Sequence, residues 1–297
     1  MSLAGVYPIV PTPFDTSGQL DLPSIQRLTS FLKDRGVQGV AILGVMGEAH
    51  KLTATEQETV IETFREHLPD ALGLVVGARA AGTDIAVGMA RTAAKYDPDA
   101  LLVGPPPIQN DEVIFAYYKR ISEAVDVPLI LHDYPASTGI LMAPPLIARL
   151  FAELETVQYI KLEDPPTGLK MAKLQKLVGD DLKVFGALGG AYAFEELDRG
   201  AVGIMTGFGY PEFLEDIYQR YQRGDVDGAA EVMYDIAPLI RWEFQTGLGV
   251  SLRKHILVKR GVFETATVRH PGAVADEKTL EHLDRILGHL ERRGYPI

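Results

Sequence analysis

Short runs of apolar, β-favouring residues alternate along the chain with longer segments whose apolar positions recur every three or four residues. The first kind predicts strands and the second amphipathic helices, so the pattern is one of successive βα units around a parallel sheet. Eight strands are predicted: Val6 to Val10, Gly39 to Leu43, Leu74 to Gly77, Ala100 to Val103, Pro128 to His132, Val157 to Lys161, Leu182 to Gly186 and Ala201 to Thr206. Each is nearly continuously apolar, as expected when helices cover one face and a barrel interior the other. Between them, Thr53 with Glu56 forms a capping box, Asn110 precedes a helical stripe through Val113, Ile114, Tyr117, Tyr118 and Ile121, and Pro144 and Pro145 suit a first helical turn.

Eight units ending near Gly224 predict a (β/α)8 TIM barrel over residues 1–224. Residues 225–297 predict a C-terminal helical bundle packed on the barrel, with helices over Val226 to Leu239, a segment through Trp242 to Val258, and Glu277 to Arg293. A doubly wound open sheet is the rival architecture. It would carry a Gly-rich first βα turn, and here the first strand runs instead into Pro11-Thr12-Pro13-Phe14.

Composition narrows the classes of function. The 297 residues are 46% hydrophobic and contain no cysteine, which removes disulfides, thiolate metal sites and a cysteine nucleophile. A net charge of −11 argues against a nucleic-acid or anionic-membrane partner, since such surfaces are held by clustered Lys and Arg. Without an apolar run long enough to span a bilayer, or the basic start and apolar stretch of a signal peptide, a cytoplasmic location is expected.

In a TIM barrel the reactive groups sit at the carboxyl ends of the strands. Those ends supply Thr12, the turn Gly44-Val45-Met46-Gly47-Glu48, Arg79, His132-Asp133-Tyr134, Lys161 with Glu163, Gly186, and Met205-Thr206-Gly207. Strand alternation puts Val157, Tyr159 and Lys161 on one face, with the Lys161 amine toward the barrel mouth. A lysine among apolar walls loses its charge and can form a Schiff base with a carbonyl; the competing reading is a strand-end lysine that snorkels to solvent. His132 is suited to acid–base work near neutral pH, or to a structural hydrogen bond. Arg79 can hold a substrate carboxylate or join a solvated ion pair, and Glu48 can orient a substrate hydroxyl or serve as a charge beside a helix start. Trp242 and Phe244 read as core.

Five motifs lie in order at the expected strand ends: GVYPIVPTPF at Gly5 to Phe14, GVMGEAH at Gly44 to His50, HDYPASTG at His132 to Gly139, YIKLED at Tyr159 to Asp164, and GIMTG at Gly203 to Gly207. Over nearly its whole length the chain resembles the dihydrodipicolinate synthase and N-acetylneuraminate lyase family of Schiff-base barrels. The resemblance implies a pyruvate-type 2-keto acid bound covalently to Lys161, with its carboxylate at Val45 and Met46. It also implies a homotetramer or dimer and no metal or organic cofactor.

The departures are informative. Val45 and Met46 stand where relatives commonly carry two hydroxyl residues, and His132 falls where they usually have a proton-relaying tyrosine, with Tyr134 two residues later. Ser137 replaces the arginine with which synthases grip a second substrate, and their tyrosine after strand four falls among Pro105, Pro106 and Pro107. Asp133-x-Pro135-Ala136-Ser137, Glu163, Met205-Thr206-Gly207 with Pro211-Glu212, and Glu243 with Gln245-Thr246-Gly247 are similar to 2-keto-3-deoxy sugar acid dehydratases. The expectation is therefore a dehydratase, with Lys161, His132 and Tyr134 catalytic and Val45, Met46, Glu48, Arg79, Glu163, Gly186 and Met205 binding substrate. His132 leads the proton traffic, with Tyr134 and Glu163 behind it. Aldolase or synthase chemistry on the same adduct is the second expectation, and a non-catalytic 2-keto acid binding protein the third.

Overall fold

A computed structural model describes residues 2–297. The strands are β1 (Gly5–Val6), β2 (Gly39–Ile42), β3 (Gly73–Gly77), β4 (Ala100–Val103), β5 (Leu129–Asp133), β6 (Val157–Leu162), β7 (Lys183–Gly186) and β8 (Gly203–Ile204). All pair in parallel with their sequence neighbours from β2 to β8, β1 pairs with β8, and a parallel bridge between Ile9 and Ala41 closes the ring. This is a (β/α)8 TIM barrel followed by three C-terminal helices. β1 and β8 are shorter than the sequence predicts because Pro8 has no N–H to extend a ladder. Their hydrogen bonding nevertheless continues, with Tyr7 N–H donating to Ile204 O at 2.9 Å and Ile9 N–H to Thr206 O at 3.0 Å.

The alternation of strand residues sorts the apolar side chains into two sets. Leu3, Tyr7, Ile9, Ala41, Val75, Ala100, Leu102, Ile130, Tyr159, Phe185 and Met205 fill the barrel interior. The opposite face of each strand packs against the helices. At the lower end Leu3 N–H donates to the Tyr159 hydroxyl at 3.0 Å, and the Tyr7 and Phe185 rings meet edge to face at 5.6 Å. The expectation that Val157 shares the inward face of Tyr159 and Lys161 is corrected. Leu129 pairs with Val157 and Ile130 with Tyr159, so Gln158 is an extra residue in a bulge and Val157 turns to the helix side. Parity is restored beyond the bulge, where His132 pairs with Lys161.

The local helix signals act as the sequence suggests. Thr53 and Glu56 make a reciprocal capping box, Asn110 accepts from the Val113 N–H at 3.1 Å, and the helix Pro144–Glu153 begins on proline. The C-terminal helices are Val226–Glu243, Gly249–Lys259 and Glu277–Arg292. The single helical segment expected from Trp242 to Val258 is thus two pieces. The chain breaks after Glu243 and turns through Gly247, whose φ of +80° suits glycine.

That break brings the helix Gly249–Lys259 over the barrel top, where it is fastened by Glu48. Glu48 holds a left-handed backbone (φ 54°) and receives Lys254 Nζ at 2.5 Å, Lys51 Nζ at 2.7 Å and the Arg269 N–H at 3.0 Å. Lys254 is fully buried, and burial brings its ammonium down to about 8. Among the described residues no helix is long and apolar enough to cross a membrane.

Removing one partner of a buried ion pair strands the other. Lys254→Met is expected to lower stability to urea at pH 7 by about 3 kcal/mol, the low end of the range for broken buried pairs because Lys51 still reaches Glu48. A loss below about 1 kcal/mol, the scale of an exposed pair, would remove Glu48–Lys254 from the interactions that hold the C-terminal helices.

Candidate active site

The ends of β5 and β6 build a compact titratable cluster. Direct cross-strand pairing sets His132 beside Lys161, and Glu163 N–H donates to Asp133 O at 2.8 Å, holding the residues just past β6 against β5. His132 Nε2 lies 3.3 Å from Lys161 Nζ and 2.9 Å from Glu163 Oε1, and Glu163 Oε1 also touches the Lys161 amine. The three side chains are 2% (Lys161), 6% (His132) and 4% (Glu163) exposed. Tyr134 stacks over the His132 ring at 5.7 Å, with Lys161 Nζ 5.8 Å from the centre of the phenol ring.

Burial decides the charge states. Desolvation pushes the Lys161 amine well below the usual lysine range; the negative charge of Glu196 opposes this shift and the Arg253 guanidinium adds to it. Contact with Glu163 also favours the ammonium, but for a fully buried amine desolvation is the larger effect. His132 is likewise pushed well below its ordinary value, first by burial and then by the positive charges of Lys161 and Arg79, so its imidazole is neutral at pH 7. The pair can therefore present an uncharged amine and a proton-accepting ring. Behind β7, burial raises the carboxyl of Glu196 to about 7, against the opposing pull of Thr167 and the Ala187 backbone.

The cluster opens upward into a narrow cavity of about 60 Å3 lined also by Val45, Met46, Thr206, Gly207, Phe244 and Arg253. This leads to an outer cleft of about 530 Å3 that includes Ser137, Glu243 and the loop Gln245 to Gly247. Of the residues singled out from sequence, the structure brings Lys161, His132, Tyr134, Glu163, Val45 and Met46 together. Glu48 lines the outer cleft, with its oxygens taken up by Lys51, Lys254 and Arg269. Arg79, Gly186 and Met205 are not brought to either space. Arg79 is exposed and donates weakly to Pro105 O, Gly186 backs onto Glu196, and Met205 lies within the barrel interior.

Sequence reasoning missed Arg253 and Phe244. Phe244, read as core, stands at the mouth because the helix ends just before it. The available signal was Arg253-Lys254 set among Leu252, Ile256 and Leu257, two adjacent cations in an otherwise apolar helical stretch.

A model of the dihydrodipicolinate synthetase family matches residues 2–290. The chain belongs to that family. It is 30% identical to an L-2-keto-3-deoxyarabonate dehydratase of Azospirillum brasilense, over 90% of this chain and 88% of that one. It is 29% identical to a 4-hydroxy-tetrahydrodipicolinate synthase of Corynebacterium diphtheriae, over 92% and 90%. The crystal structure of a dihydrodipicolinate synthase from Rhodopseudomonas palustris superposes with a TM-score of 0.92 at 34% identity, covering 97% of each chain. Membership in this family supports an enzyme of the lyase kind, and the relatives' names divide between dehydratase and synthase.

Glu196 gives the site a measurable pH signature. Its folded-state value of about 7 exceeds the ordinary 4.5, so the folded state holds a proton that the unfolded chain has released. The stabilisation is complete below pH 4.5 and is lost as pH rises to about 7. Glu196→Gln, which fixes an uncharged side chain, should flatten the fall in urea stability across that window and raise stability at pH 8 by a few kcal/mol. An unchanged slope would mean that the buried carboxyl is ionised throughout.

Proposed function

We propose that the chain is a Schiff-base lyase that dehydrates a 2-keto-3-deoxy sugar acid on Lys161. The observation that carries this reading is the buried Lys161–His132–Glu163 cluster at the foot of a cavity in the barrel mouth. The neutral amine attacks the C2 carbonyl and water leaves, giving a protonated iminium that acidifies C3. His132 and Glu163 act as a unit. The imidazole alone is a weak base because its proton affinity is depressed, and the carboxylate touching it stabilises the imidazolium once it has taken the C3 proton. Return of that proton to the departing C4 hydroxyl expels a second water, and hydrolysis of the unsaturated iminium restores the amine. The iminium is the electron sink, so the reading needs no metal or organic cofactor. Cytoplasmic placement and a homo-oligomer complete it.

Dehydration is favoured over carbon–carbon cleavage because cleavage needs a base at the C4 hydroxyl. The proton-accepting groups here converge instead on the lysine, where C3 of a keto acid joined through its C2 would lie. The 30% identity to a relative named as a keto-deoxy sugar acid dehydratase supports the same choice. Ser137 in place of an arginine weighs against condensation with an aldehyde that carries its own carboxylate.

Incubation with pyruvate and borohydride is expected to add mass to Lys161 alone, and Lys161→Ala should abolish labelling and turnover; a label on Lys170 or Lys254 would sink the mechanism. Product analysis with a 2-keto-3-deoxy sugar acid should give the dehydrated keto acid ahead of pyruvate, with His132→Ala and Glu163→Gln each slowing turnover by about 100-fold or more. Pyruvate release as the main product would move the protein to the aldolases, and condensation with aspartate semialdehyde to the synthases. Labelling without any turnover would point to a binding protein. Turnover should be unaffected by EDTA, because among the described residues no three His, Asp or Glu side chains gather as metal ligands. Loss in EDTA with recovery on adding a divalent ion would contradict this.

A further inference from the structure

We infer that Arg253, carried by the C-terminal helix Gly249–Lys259, binds the carboxylate of the 2-keto acid while its C2 is joined to Lys161. The inference rests on the Schiff-base reading and names the group that selects an acid over any other carbonyl compound.

Arg253 is 4% exposed and, apart from Lys161, is the one Lys or Arg side chain lining the inner cavity. Its charge is felt at Lys161 and at the Tyr134 hydroxyl. Its guanidinium is only half engaged. Nε donates to Glu243 Oε2 at 3.2 Å, the same oxygen that accepts the Gly209 N–H at 2.9 Å. Nη1 faces the Met46 sulfur at 2.9 Å, and a thioether is a weak acceptor. Glu243 itself is fully buried, and burial raises its carboxyl to about 7, so the pair is not a settled, fully neutralised one.

The surroundings are prepared for an anion. Among the described residues, the N–H groups of Val45 and Met46 find no acceptor in the protein. No side-chain hydroxyl stands in the turn Gly44 to Glu48, and the Thr12 hydroxyl beside it is spent on Gly47 O at 2.7 Å. A Cβ on Gly207 would come within 2.9 Å of Met46 Cγ and 3.6 Å of Arg253 Cζ, so glycine at that position leaves room for both side chains to approach. Glu163 touches the amine, and its negative charge would repel a second carboxylate placed against it. The cationic side of the cavity is therefore where C1 is held when C2 is bonded to Nζ. A planar fork with free donors can grip it in two places.

The test compares pyruvate with its neutral methyl ester as probes for borohydride trapping on Lys161. In Arg253→Gln the pyruvate concentration giving half-maximal labelling should rise by about 30-fold or more, while that for methyl pyruvate changes by less than about 3-fold. Glutamine keeps a donor toward Glu243, and Glu243 can take up a proton once its cation is gone. Arg253→Lys, which keeps the charge without the fork, should fall between wild type and the glutamine variant for pyruvate. It supplies the same comparison if the glutamine variant does not fold. Equal shifts for both probes, or no shift for pyruvate, would overturn the inference while leaving the Schiff base on Lys161 intact. Absence of labelling in the wild type would overturn both.

Discussion

Desolvation of one amine is the constraint around which this molecule is arranged. A lysine in water is charged, and the barrel weakens the hold of Lys161 on its proton by burying it at the end of a strand whose neighbours are already hydrogen-bonded into a closed ring. Interior packing below and the His132–Glu163 pair beside it deny the ammonium its hydration. An open sheet would leave the same strand end wet. Closure through the Ile9–Ala41 bridge thus belongs to the chemistry as much as to the architecture.

The price is a set of buried carboxyl groups around the strand ends. Glu196, Glu243 and Asp133 are buried, and burial raises the carboxyls of all three even though Asp133 keeps Lys170 at 2.6 Å and Glu243 keeps Arg253 at 3.2 Å. Such groups weaken a fold and persist where a site needs them or where a stronger tie compensates. Glu48 is the opposite case, a carboxylate whose donors come from three separate segments. The barrel top is thus stiff at Glu48 and electrostatically soft around the amine.

Much of this was legible in the chain. Eight apolar runs gave the barrel because continuous burial on both faces leaves an unmistakable pattern, and strand-end parity pointed Lys161 inward. The bulge at Gln158 was invisible because it depends on register against β5, a relation that no local pattern encodes. Phe244 and Arg253 were read as ordinary helix and core because the break between Glu243 and Gly249 looks, in sequence, like a continuing helix with two tolerable glycines. Arg79, Gly186 and Met205 followed from the rule that strand ends make the site. That rule gives the right end of the barrel but cannot say which side chains at that end turn toward the cavity.

The packed floor of the barrel governs traffic. With Leu3, Tyr7, Tyr159 and Phe185 stopping the lower end, the shaft above Lys161 is a dead end. Whatever reaches the amine enters and leaves by the upper mouth, so arrival and departure compete for one passage. Phe244 and Tyr134 line that passage, so any molecule bound against the amine must pass them in both directions.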